Sequence, residues 1–218
     1  MRFNSNGRRL ARFVGPAVAC LLVGAVVAPS TAIAAAMPTQ LAPATGTGAR
    51  QVVIFGDSLT WSAADDYRAL TSAALTTSVN AVPGTHMLHW VPLVPAAAAR
   101  NPAAVVLALG TNDAAGWAAW GQYGYDPVPA WAQALDSLAG HCVVILQPRD
   151  FDSTGTMSLL WSRLAPVIAS HPNVHVYDGW RVATAQYPEW IGPDGVHATA
   201  YGEYAYGWSL FLAQNQCP

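Results

Sequence analysis

Five apolar runs of strand length, each followed by a longer stretch of helical spacing, leave this chain few ways to fold. The runs are residues 51–55, 78–82, 104–109, 142–146 and 174–177. They lack the in-out alternation of a half-exposed sheet, as strands covered on both faces do. Candidate helices follow them at 60–75, 89–99, 129–138, 156–170 and 198–213. The β-α-β-α order predicts one α/β domain over 50–218, a three-layer α/β/α sandwich around a five-stranded parallel sheet. No internal repeat and no second domain is visible.

Ahead of that domain the composition changes. Arg2, Arg8, Arg9 and Arg12 precede an apolar run over 13–28, and small residues end in Ala34-Ala35-Ala36. This is the pattern of a secretory signal peptide over 1–36, cleaved after Ala36 or Ala34. A single membrane anchor is the rival reading, but the run is short for a span and holds Gly15, Pro16 and Gly24, so no stable membrane insertion is expected after cleavage. Residues 37–49, rich in Pro, Ala, Thr and Gly, predict a flexible lead-in. The chain has no lysine, and past residue 36 it keeps six arginines against twelve acids, a formal charge of −6. With no basic cluster, that balance argues against nucleic acid as a partner. Cys142 and Cys217 remain in the same part. In an oxidising compartment an even pair reads as a disulfide, with two buried free thiols as the alternative.

Sites on such a sheet form where the strands end. Val52 to Phe55 run into Gly56-Asp57-Ser58, and a candidate helix starts at once. Ser58 therefore stands on a sharp corner at a helix N-terminus, where free N–H groups and the helix dipole favour negative charge. A serine there can be a simple helix cap. It can also be a nucleophile, because acyl chemistry builds an oxyanion beside it.

The segments leaving the other strands decide between these. Gly56-Asp57-Ser58-Leu59, Asn80-Ala81-Val82-Pro83-Gly84, Gly110-Thr111-Asn112-Asp113 and Asp194-Gly195-Val196-His197 resemble, in order, the four blocks of the SGNH (GDSL) hydrolase family. The resemblance spans residues 51 to 213, nearly all of the chain after the signal. It implies a flavodoxin-like sheet and a serine mechanism. Ser58 is then the nucleophile, His197 the base, and Asp194 the group that fixes the histidine tautomer. The oxyanion donors it implies are the backbone N–H groups of Ser58 and Gly84 and the side-chain amide of Asn112. Asp57 and Asp113 are expected to orient loops through hydrogen bonds. Two departures, Val82 in place of a glycine and Trp61 after Thr60, predict a differently shaped pocket.

Trp117, Trp120 and Tyr123 share the segment after Asn112 and are expected to wall the substrate site, by stacking on sugars or by burying acyl chains. The six histidines are scattered, so no metal is expected, and the implied chemistry needs no cofactor. The reading is a secreted, monomeric serine esterase acting on small-molecule esters, with the acyl group on a sugar, glycolipid or lipid. The alternatives are an O-acyltransferase to a carbohydrate acceptor, and a non-catalytic carbohydrate-binding module on the same fold.

Overall fold

The structure is a computed structural model. It describes residues 37–120, 126–151 and 155–218, with 117–120 described as backbone only. Five strands form one parallel sheet: β1 (Arg50–Gly56), β2 (Leu75–Ala81), β3 (Ala104–Ala108), β4 (Val143–Leu146) and β5 (Val174–Tyr177). Their spatial order is β2-β1-β3-β4-β5, the flavodoxin-like order. The order reverses between β1 and β3, so loops leaving these neighbours diverge and open a crevice at the strand ends.

Helices cover both faces. In chain order they are α1 (Ser58–Ser62), α2 (Ala64–Thr71), α3 (Met87–Trp90), α4 (Val94–Ala98), α5 (Thr111–Trp120), α6 (Val128–Ser137), α7 (Thr156–Ala169), α8 (Gly179–Gln186) and α9 (Ala200–Gln214). Phe55, Leu107 and Ile145 pack on one side with Trp90, Trp131 and Leu160. Ile54, Val106 and Val144 pack on the other with Tyr67, Trp180 and Leu210. Alternate residues of one strand thus feed two cores, which is why the sequence shows no polar face.

The expected helices differ from the observed ones for local reasons. The 60–75 stretch splits at Ala63, where φ −88° and ψ 2° close α1 onto the Leu59 and Trp61 carbonyls. The 89–99 stretch splits into α3, a 3₁₀ turn and α4, because Pro92 and Pro95 lack an N–H and open new turns instead. The sequence reading missed α5 and α8 as helices. The expected lead-in over 37–49 is partly tied down rather than flexible. Leu41 is buried, Thr45 pairs antiparallel with Thr77 in both directions, and the Ala42 N–H donates to Asn80 Oδ1 at 2.7 Å. This segment covers the outer edge of β2, which would otherwise present unpaired backbone groups.

Cys142 and Cys217 are disulfide-bonded, 75 residues apart. The bond pins the C-terminal tail to the start of β4, and the Arg50 guanidinium donates to the Gln214 and Cys217 carbonyls beside it. Closing so long a loop removes chain entropy from the unfolded state, roughly 4 kcal/mol at this length. Cys217→Ser is expected to lower the unfolding free energy by that order, read by urea denaturation against the oxidised parent.

Candidate active site

Gly56 ends β1 because a Cβ there would lie 2.1 Å from Thr60 Oγ1, which folds back over the corner. Asp57 follows as the helix cap. Its Oδ1 accepts the Leu59 N–H at 3.0 Å, so capping does not fall to Ser58. The Ser58 hydroxyl is thereby left free, and Ser58 Oγ lies 2.9 Å from His197 Nε2. His197 Nδ1 lies 2.7 Å from Asp194 Oδ2. The structure brings these three residues, 58, 194 and 197, together.

The loop that carries Asp194 and His197 is held from inside. Asp194 Oδ1 accepts the Val196 and His197 N–H groups, both at 2.9 Å. The Gly192 N–H donates to the His197 carbonyl at 2.7 Å, and Ile191 bridges Ala198. Gly195 takes φ +74°, a left-handed conformation that favours glycine. The hydrogen bond from His197, and then those from the loop backbone, hold the Asp194 carboxyl down at about 2. Asp194 and His197 are each about half exposed, with side-chain exposures of 52% and 53%. This flank of the site therefore opens to solvent. The Arg149 guanidinium donates to the Gly195 carbonyl and ties the segment after β4 to this loop. The sequence reading assigned Arg149 no role, since a contact with a carbonyl leaves no partner to find in a sequence.

The oxyanion candidates gather around one amide. Asn112 Nδ2 donates to Asp57 Oδ2 at 3.3 Å and to the Thr85 carbonyl at 3.1 Å. It therefore touches the neighbour of Ser58 on one side and the neighbour of Gly84 on the other. An amide nitrogen carries two hydrogens, so both are directed at protein acceptors in this state. Aiming one at a substrate oxygen means giving up one bond. Gly84 sits at φ +75° behind Pro83, in a turn closed by the Thr85 N–H on the Val82 carbonyl, and nothing crowds its Cα face. The Thr85 hydroxyl binds this turn to the end of β1 through the Gly56 carbonyl, at 3.2 Å. The turn was legible as Pro-Gly, while the threonine that anchors it was not.

Asp57 and Asp113 do orient backbone. Asp113 accepts the Met87 N–H on both carboxylate oxygens at 3.2 Å, and Asp57 holds Leu59 and Asn112. Burial pushes the Asp57 carboxyl up to about 7, against the pull of the Leu59 N–H, and Asp113 adds to the rise. A carboxyl raised in the fold ionises later than in the unfolded chain. Its stabilisation is thus fully present below the ordinary value of 3.8 and is lost as pH climbs through about 7. Urea unfolding from acid to neutral pH is expected to show this decline, and Asp57→Asn to flatten it. Parallel profiles for the two proteins would contradict the raised carboxyl.

Of the residues expected to wall the site, Trp117 and Trp120 lie on α5 with only their backbone described, and Tyr123 lies outside the described residues. Among the described residues no group of three or more His, Cys, Asp or Glu is placed to hold a metal ion. No described helix is long and apolar enough to cross a membrane.

The architecture is the SGNH hydrolase α/β fold, a parallel five-stranded sheet with helices on both sides. The C-terminal catalytic domain of Streptococcus pneumoniae peptidoglycan O-acetyltransferase A superposes with a TM-score of 0.58 at 19% identity, over 79% of this chain and 98% of that one. A lipase/acylhydrolase from Enterococcus faecalis gives 0.56 at 19% identity, over 78% and 97%. An acetylxylan esterase from Geobacillus stearothermophilus gives 0.58 at 11% identity, over 76% and 94%. At these identities the likeness is one of fold. No family model and no curated protein matches the sequence.

Proposed function

We propose that this chain is a serine esterase that moves an acyl group through an acyl-enzyme intermediate. The observation that carries this reading is the unbroken line from Ser58 Oγ to His197 Nε2, at 2.9 Å, and from His197 Nδ1 to Asp194 Oδ2, at 2.7 Å, at the start of a helix. A serine hydroxyl is a poor nucleophile until a base takes its proton. His197 Nε2 takes it as Oγ attacks the ester carbonyl, and Asp194 keeps the Nδ1 hydrogen in place and stabilises the imidazolium. The Ser58 and Gly84 N–H groups and the Asn112 amide receive the oxyanion, with Asn112 turning one hydrogen from its protein acceptors. Collapse expels the alcohol, which takes the proton from His197. Water then repeats the sequence on the acyl-enzyme and releases the acid.

The substrate in this reading is an ester on a sugar, glycolipid or other small molecule. Residues 1–36 act as a signal that is removed, and the mature protein works as a monomer outside the cytoplasm. The disulfide supports an oxidising destination. The second reading is transfer of the same acyl group to a carbohydrate hydroxyl. It is supported by the open flank at Asp194 and His197, and by the likeness to a peptidoglycan O-acetyltransferase.

The test is a panel of p-nitrophenyl esters, from acetate to long-chain acyl groups, with and without soluble oligosaccharides. Turnover to free acid whatever the sugar supports the esterase. Acylated sugar formed at the expense of free acid supports transfer. No p-nitrophenol from any ester overturns both readings and leaves a binding module.

A further inference from the structure

Helix α9 has two apolar faces. Tyr206, Gly207, Leu210 and Ala213 are buried against the sheet and α2, as a covering helix requires. On the outer side stand Tyr201, Tyr204, Trp208 and Leu212, exposed by 66%, 44%, 38% and 43%. Their spacing of three, four and four residues puts them on one stripe. Single exposed apolar residues need no explanation, but a continuous row of this size marks a contact surface.

The row forms one wall of a groove of about 280 Å³ between α8 and α9, near the lower end of the range for small-ligand sites, roughly 300–1,000 Å³. Tyr177 and Trp190 complete the lining, with Gly179 and Ala183 of α8. The groove is built rather than accidental. A Cβ at Gly179 would lie 2.3 Å from the Tyr177 ring, so the glycine lets that ring lie across the start of α8. The rings are tilted to one another: Trp190 and Tyr201 at 58°, Tyr204 and Trp208 at 77°. Tilted rings leave faces open, although one face of Trp190 is covered by Tyr187, which stacks on it at 4.6 Å. The groove starts at the root of the catalytic loop, where the Trp190 carbonyl accepts the Thr199 N–H.

Charge selects the occupant. Among the described residues no charged side chain lines the groove; the charged residues adjacent in sequence to its lining, Asp178, Glu189 and Glu203, are acidic, and Asp178 is paired with Arg181. An anionic membrane surface is drawn by clusters of basic residues, and the lining offers none, Arg181 beside it being paired with Asp178. A neutral sugar chain fits on both counts. Its C–H faces carry the partial positive charge that aromatic faces attract, and its hydroxyls pair with tyrosine hydroxyls along the wall.

We propose that the α8–α9 groove is a second binding site, separate from the Ser58 site, and that it takes a neutral polysaccharide chain. The proposal stands without the ester chemistry and fails or survives apart from it. The test is affinity electrophoresis of the purified protein in gels containing arabinoxylan, hydroxyethyl cellulose or glycol chitin. Retardation in at least one gel is expected. Tyr204→Ser with Trp208→Ser is expected to weaken it at least about tenfold, and Tyr201→Ser alone to weaken it less. Leu159→Ser, at an equally exposed apolar residue on α7, is expected to leave it unchanged. All three variants keep the buried stripe of α9, and a thermal unfolding scan on each confirms that they fold. Migration unaffected by any polysaccharide, or retardation that survives the double variant, overturns the proposal. So does groove-dependent binding to phosphatidylcholine vesicles, or groove-dependent dimerisation, without retardation in any gel.

Discussion

Ser58→Ala is expected to lower kcat on p-nitrophenyl esters by about a million-fold, the scale seen when a serine nucleophile is removed. Among the described residues no hydroxyl other than that of Ser58 is bonded to His197. The Thr60 side chain packs against Gly56, and the Thr85 hydroxyl donates to the Val82 and Gly56 carbonyls. The fold is expected to be untouched. Asp57, and not Ser58, accepts the Leu59 N–H, so α1 keeps its cap when the serine oxygen is lost. The unfolding free energy of the variant is expected within about 0.5 kcal/mol of the parent. A second readout is covalent. Treatment with diethyl p-nitrophenyl phosphate should add one diethylphosphoryl group to the parent, on the peptide holding Ser58, and none to the variant. Equal turnover by both proteins would remove Ser58 from the mechanism.

Asp194→Asn is the second large loss, expected at about ten-thousand-fold in kcat. The geometry explains why a change of one atom matters. Asp194 Oδ1 is committed to the Val196 and His197 N–H groups, so an asparagine oxygen would stay there. Its NH₂ would then face His197 Nδ1, where a donor forces Nδ1 to be the acceptor. The imidazole hydrogen moves to Nε2, and Nε2 can no longer accept the proton of Ser58. KM is expected to change little, because Asp194 lies behind the histidine. With its carboxyl held at about 2, Asp194 stays ionised as the medium is acidified and loses its interaction with His197 only as pH falls through that value. Steady-state kinetics of the two proteins at neutral pH reads the loss, and a thermal unfolding scan separates it from unfolding. A kcat within tenfold of the parent would mean that the tautomer is set by something else.

The corner at Gly56-Asp57-Ser58 was legible because three short-range facts coincide there: a fully apolar strand, a glycine and a helix start. Its partners were legible only as blocks with a family resemblance. Nothing local in Asp194-Gly195-Val196-His197 says that it meets residue 58. What remained hidden depends on contacts of backbone atoms, which leave no trace in residue types. Arg149 on the Gly195 carbonyl is one case, and Thr85 on the Gly56 carbonyl is another. The edge cover over β2 was hidden for a different reason. Residues 37–49 have a loop composition, yet the unpaired edge of β2 supplies the hydrogen bonds that order them. α5 was hidden because its glycine and tryptophans mask an alanine-rich helix.

The bond between Ser58 and His197 joins residues 139 positions apart. On the proposed mechanism the nucleophile is finished early in the chain, and its base arrives just before the last helix. A nascent or proteolysed fragment through β4 therefore holds a serine with no base. A fragment from α7 onward holds a histidine and an aspartate with no hydroxyl to activate. On that mechanism turnover would report completion of the whole domain in one step. Two such fragments mixed together would be silent apart and regain activity only on reassociation, so ester hydrolysis could time the docking of α9 without any attached label.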